Sequence, residues 1–444
     1  MSVFVILAVA TLIIAWLQFL IQKKSRNILL LLPTLFIYYW TIAGAWFITF
    51  DQLTSNSLAN IGVHYYEYYD KLFPVELNSD YTKSIILFSV FLISYQLGLL
   101  LLLNKSTGKT VLENKIVINH KTMILISAVM GILSFIFIKQ QMAEALSHHE
   151  SFYIYLNHYG GRYFSPYQIC KSFALFAAYS GMVIYLCRPN ANFILGNKLS
   201  RGLFIYFLLM FIIIFYALVI GSRHDLLFAA MFALFFYFNN AEKINYKKVT
   251  VIVLSMVLPI FMIELTRGIP LLDYLGLNFG PSGESKEIHL SWVQTFLSLA
   301  FSNEIFAGHM SMYGAMHYNV PLTYGSSFNS LLHSFIPRFI LPQRPEDIYH
   351  HYISVAKNPG IQGFTINHAT GWYLNFGTIG VIAGGIVLGF IIAYTKNIFS
   401  SKSKNKNTFI KCVQLIAFPC IVAFIPVIIR TGPEGYKEIG RAHV

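Results

Sequence analysis

Apolar residues run along this chain in long blocks, separated by short polar stretches rather than alternating with them. Blocks of about 20 apolar residues match the roughly 30 Å thickness of bilayer hydrocarbon, and here they recur from end to end. Helices satisfy their own backbone groups in lipid, so the pattern predicts an all-α polytopic membrane protein. The expected spans are 3–20, 28–50, 84–103, 122–138, 168–186, 202–220, 226–238, 249–266, 372–394 and 409–429. That makes about ten transmembrane helices with one large external loop. The seventh block is short for a crossing, but the blocks on either side of it require a return. The first lacks a basic leader and a small-residue cleavage site, and Lys23, Lys24 and Arg26 follow it, so it reads as a retained helix.

The polar stretches give the blocks a direction. Lys23, Lys24 and Arg26, then Lys105, Lys109, Lys115 and Lys121, then Arg188, Lys198 and Arg201 fall in alternate loops. Lys243, Lys247 and Lys248 continue the series, and Lys396, Lys402, Lys404, Lys406 and Lys411 complete it. The stretch 51–83, by contrast, sets Asp51, Glu67, Asp70, Glu76 and Asp80 against only Lys71 and Lys83. Lys/Arg bias marks cytoplasmic loops, so the N-terminus is expected outside and orientations alternate from there. This also accounts for the formal charge of +13, leaving no reason to invoke nucleic acid.

The organisation read from the pattern is an N-terminal membrane bundle of about eight helices over 1–266, an external loop over 267–371, and C-terminal membrane helices over 372–437. A loop that long is far outside ordinary connection lengths. Its apolar piece Leu290–Phe301 is too short to span, and it predicts a buried or interfacial helix. Residues 438–444 stand apart. Ile439-Gly-Arg-Ala-His-Val444 reads as the translation of a common sequencing adapter, so the natural chain is expected to continue beyond about Lys437. Arg441 and His443 accordingly receive no role. Cys170, Cys187, Cys412 and Cys420 lie in or beside apolar blocks without CxxC spacing, which disfavours disulfides and a cysteine metal site.

Candidate chemistry gathers on the expected outer side. Arg223 occupies the tight turn Gly221-Ser222-Arg223 between two apolar blocks, and Arg267 ends the eighth. Arg338 lies in the external loop, and Arg430 follows the tenth block. Guanidinium groups stay charged and offer a planar fork suited to phosphate oxygens. One such arginine by itself favours snorkelling or a carboxylate pair. The four together favour an anionic ligand, whereas Arg344, beside Glu346 and Asp347, favours the pair. Glu304, flanked by apolar residues, and His368 are candidate bases, each with a structural reading of comparable weight. The glycines of 363–380 are expected to permit close helix packing. The adjacent pairs His148-His149 and His350-His351 make poor metal signatures, and no metal is expected.

The stretches Gly221-Ser-Arg223, Thr266-Arg-Gly268, 337–345 (PRFILPQRP) and 371–380 (GWYLNFGTIG) together resemble the Wzy-type O-antigen polymerases, which join oligosaccharide repeat units. The large external loop before the last helices fits too. The resemblance implies a membrane glycosyltransferase (GT-C-like) fold of the polymerase/ligase kind, in the bacterial cytoplasmic membrane, with its active face external. The implied substrate is an undecaprenyl-pyrophosphate-linked oligosaccharide, and the implied enzyme uses neither cofactor nor metal. A chain-length regulator and a flippase of the same pathway are the implied protein partners. The resemblance gives Arg223, Arg267, Arg338, Arg430 and Tyr373 substrate-binding roles, and Glu304 and His368 catalytic ones. Two rivals stay open, an O-antigen ligase using the same donor and a lipid-linked oligosaccharide flippase. A flippase needs polar groups lining a path through the membrane, whereas here they concentrate outside.

Overall fold

The computed structural model describes residues 3–25, 30–53, 78–103, 120–147, 169–171, 173–179, 208–214, 226, 228–229, 231–235, 246, 249–255, 258–259, 303–334, 348–356, 366–400 and 421–433. Among these, the ordered elements are helices and no strand is found. Three of the helices are long and apolar enough to cross a membrane: Val3–Ser25, Ser79–Leu102 and His368–Asn397. Contacts divide the chain into one unit built from 1–108, 290–404 and 413–444, and a second built from 109–289 and 405–412.

In the first unit, α1 is Val3–Ser25 and α2 is Leu31–Tyr38. A π-helical turn, Tyr39–Ala43, joins α2 to α3, Gly44–Leu53. Helix α4, Ser79–Leu102, starts at Asn78, whose carboxamide oxygen accepts hydrogen bonds from the Asp80 and Tyr81 amides. Such a cap satisfies amides that have no partner within the helix. Because capping turns are polar, α4 begins five residues before the apolar block that foretold it.

The helix directions agree with the alternation read from the loop charges. Helices α1 and α2–α3 run antiparallel: Gln18 meets Thr34, Thr11 meets Tyr38 and Phe4 meets Trp46. Helices α1 and α4 end together, where Lys24 Nζ donates to the Leu100 carbonyl at 2.7 Å. Between those points an amide cluster ties three helices, with Gln96 Nε2 donating to the Ile14 carbonyl and Thr34 Oγ1 to Gln18 Oε1.

Four shorter or broken helices follow in the same unit: α6, Asn303–His317; α7, Ser326–Ser334; α8, Ile348–Val355; and α9, His368–Ser400. A tenth, α10, is Ile421–Thr431. Helix α9 runs parallel to α4 at van der Waals contact. A Cβ on Gly98 would lie 2.6 Å from the Ile386 carbonyl oxygen, and one on Gly385 2.5 Å from that of Phe91. Gly389 meets the Tyr95 carbonyl more closely still. Without a hydrophobic drive between helices in lipid, such small residues let two backbones approach. At the far end, Asn397 Nδ2 donates to the Leu102 carbonyl.

The second unit contributes α5, His120–Ser147, and shorter helical pieces including Ile169–Tyr179. Ser127 Oγ donates to the Ala174 carbonyl at 2.8 Å, and Tyr179 packs edge-on against Phe228. Helix α5 extends well beyond the expected 122–138 at its C-terminal end, through the polar residues after Ile138.

Candidate functional site

The parallel register of α4 and α9 fixes how far each protrudes. Phe91 stands beside Gly385, Tyr95 beside Gly389 and Leu102 beside Asn397, so Lys83 is level with Gly377. From Gly377 to Lys396 is about 30 Å of helix, one hydrocarbon thickness. The Lys83–Asp80 ion pair at 3.3 Å, with Lys83 largely exposed, marks one boundary, and Lys24 and Lys396 mark the other. The first turns of α9 do not continue past that boundary but fold back along the span: Trp372 lies against Gly380 and Gly384, and the His368 ring is 5.9 Å from that of Phe91, beside Gly385.

At that boundary α9 breaks. Phe376 (φ −140°, ψ 17°) is non-helical, and Gly377 takes φ 63°, ψ −149°, a conformation in which a side chain is strained. The break releases the Leu374 carbonyl, which accepts the Thr323 amide at 2.7 Å. Asn375 lies alongside, its Nδ2 donating to the Gly371 carbonyl and its Oδ1 accepting from Thr323 Oγ1 and Ser327 Oγ. The turn before α7 is therefore stitched to the broken turn of α9.

A second broken helix serves the other side. The π-turn at Tyr39–Ala43 interrupts the i→i+4 ladder, and two backbone carbonyls there take donors from elsewhere in the chain. The Trp40 carbonyl accepts Asn367 Nδ2 at 3.0 Å, and the Thr41 carbonyl accepts His309 Nδ1 at 2.8 Å. Since a carbonyl only accepts, His309 carries its proton on Nδ1, and its Nε2 accepts the Tyr81 hydroxyl at 3.1 Å. Burial holds this imidazole neutral, lowering its pKa to about 4 despite the bond to Thr41. Asn367 also caps α9, its Oδ1 accepting the Ala369 amide, and its own amide donates to Ser311 Oγ. Ser311 is in turn 2.8 Å from Thr370 Oγ1. Helix α6 is thereby held between α4, the π-turn and the start of α9.

His368 belongs to this assembly and is fully buried. Trp372 Nε1 donates to its Nε2 at 3.1 Å, which occupies that lone pair and leaves the proton on Nδ1. The backbone of Ile428 and Gly432 interacts with the ring, bringing the end of α10 against the start of α9. Gly432 (φ 74°) closes α10 in the left-handed conformation common after a helix C-terminus, and Pro433 follows it onto Gly371. Arg430, half-buried in the last turn of α10, consequently lies at the same end of the unit as His368 and the half-buried Tyr373. Glu304 sits in the first turn of α6, and its side chain lies outside the described residues, as do Arg223, Arg267 and Arg338 entirely. Among the described residues, no three His, Cys, Asp or Glu side chains gather as metal ligands.

Sequence reasoning named His368 but missed its neighbours. Asn367 and Asn78 carried a signal, a carboxamide just ahead of a helical block. Thr41 and His309 carried none, because the carbonyl that joins them exists only where α2 breaks. Comparison of the chain with protein-family models, curated proteins and solved structures yields no match.

Proposed function

We propose that the protein polymerises lipid-linked oligosaccharide repeat units at the external face of the cytoplasmic membrane. In the reaction a hydroxyl at the non-reducing end of one unit attacks C1 of the growing glycan's reducing-end sugar. The C1–oxygen bond to undecaprenyl pyrophosphate breaks, the carrier departs as the pyrophosphate, and the hydroxyl proton passes to a base. No nucleotide sugar is needed, because the lipid pyrophosphate is itself the leaving group.

The observation that carries the reading is the meeting of the 371–380 stretch with the end of α10, where Pro433 packs on Gly371 and Arg430 lies in the adjoining turn. In this reading Arg430, Arg223, Arg267 and Arg338 offset charge developing on the leaving pyrophosphate. Tyr373, half-buried on the first turns of α9, is the glycan contact. Glu304 deprotonates the accepting hydroxyl. His368 serves as base only if Trp372 releases Nε2; with that bond intact it orients the first turn of α9.

The test is complementation of a deletion strain, followed by surface-glycan length analysis. Loss of long chains with a single repeat unit still attached supports polymerisation, and loss of all attachment supports a ligase instead. Arg430→Ala, Arg223→Ala and Glu304→Gln chains, expressed at normal levels, are expected to leave only the single unit. Full-length glycan from all three variants would end the proposal.

A further inference from the structure

The turn 320–325 and helix α7 sit at the hydrocarbon boundary without being part of any span. Their level is fixed by contacts: Thr323 binds Leu374 and Asn375, Leu322 lies 3.7 Å from a Cβ built on Gly377, and Phe328 stacks on Phe376. Gly377 is level with Lys83, where the apolar length of α4 begins. Two side chains here project outward, Tyr324 at 82% exposure and Leu332 at 66%. Phe376, 44% exposed on α9, lies on the same side as the stacked Phe328, one turn from Ile379 at 77% on the lipid-facing apolar surface of the span.

Tyr324 is held in an uncommon conformation. Its φ of 48° is left-handed, which an aromatic residue rarely adopts, and Gly325 follows at 89°. The strain is offset by backbone pairing: the Ser326 amide reaches the Thr323 carbonyl, and the Phe328 amide the Gly325 carbonyl. A turn at membrane depth is tolerated when its backbone groups are satisfied by protein. The ring is thereby presented away from the bundle at the height where tyrosine and tryptophan are enriched, with an apolar face to acyl chains and a hydroxyl to head groups.

We infer that Tyr324 and Leu332 form a lipid-contacting anchor, seating the turn 320–325 and α7 in the interfacial layer of the bilayer beside the break in α9. The partner is the acyl-chain and head-group boundary of the membrane itself, because Phe328 and Gly325 pack on Phe376 and so join the patch to the exposed apolar surface of α9, while Ser326 and Asn329 face out beside it. The anchor holds Thr323 and Ser327 against Asn375 and so steadies the turns that carry His368. This inference does not depend on what reaction the protein performs.

The experiment uses the full chain with Cys170, Cys187, Cys412 and Cys420 replaced by serine, reconstituted in phosphatidylethanolamine–phosphatidylglycerol bilayers. Nitroxide labels are placed singly at Tyr324→Cys and Leu332→Cys, with Ile379→Cys as the hydrocarbon reference. Both positions are exposed, so the substitutions leave packing intact. Power-saturation measurements are expected to show both labels relaxed more by oxygen than by a water-soluble nickel chelate, at depths shallower than position 379. Preferential relaxation of either label by the chelate overturns the inference. So does immobilisation with access to neither, which would place a protein surface there.

Discussion

Two junctions of α9 with its neighbours are built on opposite principles. Along α4 the contact is made by what is missing: Gly98, Gly385 and Gly389 lack side chains, and the backbones touch. At the π-turn and α6 it is made by what is released: broken helices free carbonyls that Asn367, His309 and Thr323 fill. The first suits hydrocarbon, where dispersion and close approach hold helices together. The second is made by polar side chains buried within protein, so that each freed carbonyl finds a donor there. The contrast indicates a glycine-packed stem carrying a hydrogen-bonded head.

The stem should be the less forgiving of the two. Gly389→Val drives a Cβ onto the Tyr95 carbonyl, which as backbone cannot swing aside, and should cost about 3 kcal/mol by overpacking. Thermal unfolding in detergent reads this directly, and a loss under about 1 kcal/mol would mean that the interface widens freely. In the head, His309→Leu removes both hydrogen bonds and strands the Thr41 carbonyl, an expected loss of about 2 kcal/mol. If His309→Leu unfolds at the wild-type temperature, the polar head does not contribute to stability.

The same histidine gives the head a pH signature that the stem lacks. Its folded pKa lies below the ordinary value near 6.5, so the unfolded chain takes up the proton first. Its contribution is therefore fully present above about pH 6.5 and is lost as pH falls towards about 4. Melting temperature should fall across that window in the wild type, with a shallower slope in His309→Asn. Identical slopes would show that other groups dominate acid unfolding.

Smaller effects sharpen the boundary between stem and head. Thr323→Val keeps the backbone bond to Leu374 but removes the hydroxyl from Asn375, and should cost about 1 kcal/mol. Lys83→Ala breaks an exposed ion pair and should change stability by less than about 0.5 kcal/mol. A larger loss there would mean that Lys83 supports the head rather than merely marking its edge.

Much of the stem was legible. Three apolar blocks became helices long enough to cross a membrane, and loop lysines foretold that α1, α4 and the main part of α9 run parallel while α2–α3 oppose them. The glycines of 371–380 also pack closely, Gly380 against the Trp372 carbonyl and Gly371 against Pro433. The head was legible only in pieces. Apolar windows started α4 and α9 at 84 and 372, missing the capped polar turns that hold Tyr81 and His368.

What the sequence determined by itself, then, is which blocks form long apolar helices and how α1, α2–α3, α4 and the main part of α9 alternate in direction, because apolar length and loop charge are sums over local residues. The tertiary structure decided where helices break and which side chains claim the freed carbonyls. Those bonds join Trp40 to Asn367 and Thr41 to His309 across hundreds of residues, and no local pattern encodes them. His368 illustrates the difference. Its position beside a membrane helix was plain in the sequence, but its burial against Phe91 and Trp372 depends on α9 folding back at the break at Gly377.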